Sequence, residues 1–133
     1  MILSGKVYLE DKDQYKMIEV PLLDLATQGE NFEDYLPMIS DAILSLDPEI
    51  KFDVKWTEKE KGLFIVESTD SRLISLILKR TREALGLSQR DAAKKMGFSS
   101  HNSIAAYESG EREPTVGKFE TMLAHYGHKL MAA

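Results

Sequence analysis

The chain contains no cysteine. Disulfides, thiol nucleophiles and cysteine-ligated zinc or iron–sulfur centres are therefore excluded. No apolar run approaches the ~20 residues needed to cross a bilayer. The opening MILSGKVYLEDKD lacks the basic front and long apolar core of a secretory signal, so a cytoplasmic protein with no membrane partner is expected. Proline and glycine are sparse, 4 and 8 among 133 residues, and no Gly/Pro-rich linker divides the chain. The only boundary signal is ESTDS, residues 67–71. The length suits one domain or two small ones, each with a modest core.

Charge is present and unevenly spread. Residues 1–69 carry 7 Lys/Arg against 15 Asp/Glu, and residues 70–133 carry 10 against 7, with all three histidines. An acidic first half and a basic second half point to two separate jobs.

The first half mixes strand and helix signals. KVYLEDKDQYKMIEV reads as two short strands around EDKD. KFDVKWT alternates, with Phe52, Val54 and Trp56 on one face, and LFIVES reads as a return strand after EKEKG. Between these pairs, Tyr35, Leu36, Ile39, Ile43 and Leu46 recur at helical spacing. Pro37 places the regular helix start near Leu36, capped by Asp34 or a neighbour. Two strands, a helix and two more strands are expected.

The second half is helical throughout. STDSRLISLILKRTREALG opens on cap-type residues and stops at Gly86. Ser88 and Asp91 have capping-box spacing. In PTVGKFETMLAHYG, Thr115 is the expected cap and Val116, Phe119, Leu123 and Tyr126 the apolar stripe. Ala93, Gly97 and Ile104 suit a tight helix crossing, a left-handed turn and a buried position in the following helix, with Leu87 and Met96 flanking. His125 and His128 lie three apart across Gly127 with no third ligand in view, so no metal site and no cofactor is expected.

LGLSQ, Ala93, Gly97, Ile104, YESG (Tyr107 to Gly110) and Pro114 together resemble the Cro/repressor-type (XRE-like) helix-turn-helix family over about 50 residues. The resemblance implies a double-stranded DNA operator as partner, read by a homodimer or higher homo-oligomer. It also implies a structural ion pair between Arg82 and Glu108. The turn is one residue longer than usual in that family. Counting back from Ile104 puts His101, Asn102 and Ala105, with Ser103 beside them, at the base-reading positions; counting forward from Gly97 gives Ser99 to Asn102 instead, and the backward register is preferred because Ile104 and Glu108 fix the helix phase. Asn can pair with adenine, His with a guanine edge, and Ala with a thymine methyl. Gln89, Ser99, Ser100, Arg112 and Lys118 are candidate phosphate contacts, with Arg90, Lys94 and Lys95 behind them.

VPLLDLATQGENFEDYLPMISDAILSL resembles the signature of HicB-type antitoxins through Pro21, Leu23, Thr27, Gln28, Gly29, Phe32, Glu33, Ala42 and Ile43. The Leu-Pro-Gly-Cys loop usual in that family is LLDLA here. The resemblance implies an α+β fold class. A partial ribonuclease H-like domain of strands plus one helix, residues 1–69, would precede an all-α helix-turn-helix domain, residues 70–133. It further implies a small basic RNA-cleaving HicA-like toxin as partner, faced by Asp24, Glu30, Glu33, Asp34 and Asp41. The acidic residues form no pattern able to hold a metal pair, so no enzymatic activity is expected. Two other readings remain open at this stage. One is an autonomous repressor whose first domain dimerises or senses a ligand. The other is a phage-type repressor with an unrelated α+β oligomerisation domain.

Overall fold

The computed structural model describes residues 1–128 of the chain. The chain divides into two compact units, Met1–Asp70 and Ser71–Ala133. Asp70 is tied to the first unit by accepting a hydrogen bond from the Lys51 N–H at 2.9 Å.

The first unit holds β1 (Ile2–Val7), β2 (Lys16–Val20), β3 (Leu25–Gly29), α1 (Phe32–Leu46), β4 (Asp53–Glu58) and β5 (Leu63–Glu67). All neighbouring strands run antiparallel in the order β3-β2-β1-β5-β4. Period-2 alternation buries one face of the sheet: Leu3, Gly5 and Val7 on β1, Ile18 and Val20 on β2, and Phe64 and Val66 on β5. Helix α1 supplies Tyr35, Ile39 and Ile43 to the same core. Phe32, Tyr35, Trp56 and Phe64 meet edge to face, with centroids 5.4–6.5 Å apart.

The first unit departs from expectation in two places. The sheet has three strands before the helix, not two. LATQG has no apolar alternation of its own, and it is strand because all five residues pair with β2, from Lys16↔Gly29 to Val20↔Leu25. The helix also starts four residues earlier than Pro37 implied. Asn31, not Asp34, caps it by accepting from the Asp34 N–H at 3.1 Å. Pro37 then sits in the second turn on the exposed face, where only the bond to the Glu33 carbonyl is lost and water can reach that oxygen.

Gly5 lies directly opposite Phe64 in the β1–β5 ladder. A Cβ at residue 5 would fall 2.2 Å from two ring carbons of Phe64. Gly5→Ala must therefore displace a fully buried ring, and a loss of about 1–3 kcal/mol is expected, read as a lower urea midpoint at unchanged m-value.

The second unit consists of α2 (Ser71–Ala84), α3 (Gln89–Met96), α4 (Asn102–Ser109) and α5 (Val116–His125). The capping box forms as expected, with Ser88 accepting from the Asp91 N–H at 3.0 Å and Asp91 accepting from the Ser88 N–H at 3.3 Å. Thr115 caps α5 through the Lys118 N–H. The α5 stripe is Phe119, Met122, Leu123 and Tyr126. Val116 is 72% exposed and is not part of it, because the first residue of the helix points away from the core. Leu73, Leu76, Ile77 and Leu78 of α2 and Ile104 of α4 complete the core.

Candidate nucleic-acid interface

Helices α3 and α4 are joined by residues 97–101. Gly97 closes α3 in the left-handed region at φ 75°, where its N–H and that of Phe98 cap the α3 carbonyls of Lys94 and Ala93. α4 begins at Asn102. Phase is set inside α4, where Ile104, Ala106 and Tyr107 are buried.

The opposite side of α4 is therefore fixed. Asn102 is exposed at its first position, and Ser103 and Ala105 are half-buried beside it. His101 occupies the N-cap position, half-buried, and its side chain makes no capping bond. That service falls to Ser100, whose hydroxyl accepts from the Asn102 N–H at 3.1 Å. Ser99 and Ser100 are exposed in the turn.

Arg82 and Glu108 meet side by side. Arg82 Nε donates to one carboxylate oxygen at 2.7 Å and Nη2 to the other at 2.9 Å, while Nη1 donates to the Leu87 carbonyl at 2.6 Å. The side chains are 11% and 5% exposed. Hydrogen bonding to Glu108 raises the guanidinium's pKa further above its ordinary value. Gln89 adds a third donor to Glu108 at 3.3 Å, which fixes its side chain at the start of α3. The Arg82–Glu108 pair thus joins α2, the α2–α3 turn, α3 and α4.

The basic candidates are positioned by aromatic rings. The Lys118 ammonium sits 4.8 Å from the Phe98 ring centre, and the Arg112 guanidinium 5.3 Å from that of Tyr107. Both remain exposed. The Phe98–Lys118 contact is not visible in sequence, since the two residues are twenty apart. Arg90 and Lys94 line a shallow cleft with Phe98, Ser99, Ser100 and His101. The structure thus brings the base-reading candidates, the turn serines, Arg90, Lys94 and Lys118 to neighbouring positions on α3, the turn, α4 and the start of α5.

Tyr126 lies close enough to this pair for its titration to feel both charges. Its hydroxyl is buried and has no hydrogen-bond partner among the described residues. Burial, with the charge of Glu108 adding, pushes the phenol up to about 12. The folded-state pKa is above the ordinary value of 10.0, so folding favours the protonated phenol. This contribution is fully present below about pH 10 and is lost as pH rises through about 12. Tyr126→Phe should leave the urea midpoint at pH 7 unchanged or slightly higher, and should remove part of the fall in stability between pH 10 and 12.

In the first unit, Asp24, Glu30, Glu33 and Asp41 are exposed and Asp34 is half-buried. Asp24 holds the left-handed position after the short helical turn Pro21–Leu23. Glu30 accepts from the Gln14 amide at 2.8 Å. Glu33 and Asp34 lie in the first turn of α1, where its dipole favours negative charge.

Residues 78–129 match the family model described as helix-turn-helix. The match starts within α2 and takes in α3, α4 and α5, the helices whose geometry defines the unit. It assigns this segment to the helix-turn-helix domains of sequence-specific DNA-binding transcription regulators. No curated protein matches the chain. No helix among the described residues is long and apolar enough to cross a membrane.

Proposed function

We propose that this chain is a cytoplasmic, operator-binding repressor that also acts as the antitoxin of a HicAB-like type II system. The carrying observation is the α4 presentation. A short helix with an exposed Asn at its first turn is held by the Arg82–Glu108–Gln89 cluster, inside a segment that matches the helix-turn-helix family. His101, Asn102, Ser103 and Ala105 read base edges, while Gln89, Ser99, Ser100, Arg112 and Lys118 hold phosphates. A two-fold operator with half-sites ~34–36 Å apart, or a multiple, fits a homodimer or higher homo-oligomer.

The toxin half of the reading rests on the resemblance of residues 20–46 to HicB-type antitoxins and on the acidic surplus of residues 1–69. The antiparallel sheet with one helix is consistent with the strands-plus-helix domain that this reading calls for. An acidic domain would cover the basic RNA-binding surface of a small toxin, and complementary charge would speed their association.

Two measurements test the two halves separately. A gel shift on the DNA upstream of the gene should show binding that weakens steeply with salt; absent or salt-insensitive binding sinks the autorepressor reading. Co-expression with the product of the adjacent short gene, followed by calorimetry, should show a tight complex. No complex would leave a repressor whose first unit dimerises or senses a ligand.

A further inference from the structure

Reading of base edges depends on phosphate contacts that hold a protein in register on the duplex. A lysine serves best there when its side chain is fixed before DNA arrives, because a free one loses rotamer entropy on binding. Lys118 meets that condition, and a residue of the turn before α4 is the reason.

Both ends of the Phe98–Lys118 contact stand on capped backbone. Gly97 turns the chain out of α3 at φ 75°, and the Phe98 N–H donates to the Ala93 carbonyl at 2.8 Å. Phe98 is half-buried at that point. Lys118 is the third residue of α5, and its N–H donates to the Thr115 hydroxyl at 3.1 Å. The Lys118 ammonium then lies 4.8 Å from the Phe98 ring centre. An ammonium held over a ring still directs N–H donors away from it, towards an anion. Among the described residues no carboxylate pairs with Lys118, so its charge is not spent. Arg82, by contrast, is committed to Glu108. Arg90 and Lys94 line the cleft that Phe98 also lines, but no ring lies under either among the described residues.

We propose that Phe98 is a positioning residue for DNA binding: its ring holds the Lys118 ammonium in place for one backbone phosphate beside the reading helix. This deepens the proposed function and rests on its DNA-binding half. Phe98 acts through Lys118, so it sets affinity without setting sequence preference.

The test uses the full chain and a random-sequence duplex of about 20 base pairs, which suffices because phosphate contacts ignore sequence. Affinity is measured by fluorescence anisotropy from 50 to 200 mM salt. Phe98→Leu keeps an apolar side chain in the turn but removes the ring. It should weaken binding about two- to fivefold at the lowest salt. In the Lys118→Gln background the same change should cost nothing further. Phe98→Trp keeps a ring, should bind at least as tightly as the parent, and covers the case in which Phe98→Leu does not fold. In the free protein, NMR should find the Lys118 ε-methylene protons shifted upfield by the ring, and at ordinary positions in Phe98→Leu. A contact that serves only the fold would lower the urea midpoint and leave DNA affinity alone. Unchanged affinity for Phe98→Leu, equal losses with and without Lys118, weaker binding by Phe98→Trp, or unshifted Lys118 protons in the parent would each overturn the proposal while the DNA-binding reading stands. A parent chain that binds no duplex at all would remove that reading, and the role of Phe98 with it.

Discussion

Arg82→Met is expected to destabilise the C-terminal unit by about 3–5 kcal/mol, enough to abolish most of a small domain's stability. Methionine keeps much of the arginine's apolar stem but removes all three donors. Glu108, 5% exposed on its side chain, would retain only the 3.3 Å bond from Gln89, and the Leu87 carbonyl would lose its 2.6 Å donor. Removing one partner of a buried pair strands the other charge, which costs more than the intact pair contributes. The double variant Arg82→Met with Glu108→Met should therefore be more stable than Arg82→Met alone. Chemical denaturation of all four corners of this cycle measures the coupling. If Arg82→Met unfolds within about 0.5 kcal/mol of the parent, the pair does not hold α4 to α2.

The second large effect is on recognition. Given the proposed reading, Asn102→Ala should cost about 1–3 kcal/mol of operator affinity and relax preference at one base position. Asn102 is exposed, and its backbone N–H keeps its Ser100 cap after truncation, so folding should be unchanged. Lys118→Gln offers the contrast. It should weaken binding evenly across sequences and lower the slope of log affinity against log salt by about 1. Measuring both variants on operator and scrambled DNA separates base reading from phosphate holding. Equal losses on the two DNAs for Asn102→Ala would remove that residue from base readout.

Much of the second unit was legible in the sequence because its signals are local or depend on fixed spacing. Ser88, Asp91, Gly97 and Thr115 act within one turn of themselves, and Ile104 fixes helical phase over four residues. What was not legible depends on the chain folding back. Nothing in LATQG announces a strand; β2 imposes it, by supplying a partner for every residue. Pro37 misplaced the start of α1 because proline statistics weigh a lost bond, whereas Asn31 three residues before Asp34 offers a cap that outweighs it. Val116 satisfied the apolar spacing yet points outward, since spacing alone does not say which stripe of a first turn meets the core. In the site, the resemblance carried Arg82 to Glu108, but the third donor Gln89 and the rings under Lys118 and Arg112 emerged only with the tertiary fold.

If residues on α4 read a specific DNA sequence, as proposed, that sequence is recoverable from a random pool. The most direct measurement is selection of bound sequences from a random duplex library by the full-length chain, followed by affinity measurement of the recovered motif from 50 to 200 mM salt. Two related half-sites in inverted orientation are expected, with an affinity that falls linearly on a log–log salt plot and with degeneracy appearing at one position for Asn102→Ala. Recovery of no enriched motif, or of one that Asn102→Ala leaves untouched, would contradict it.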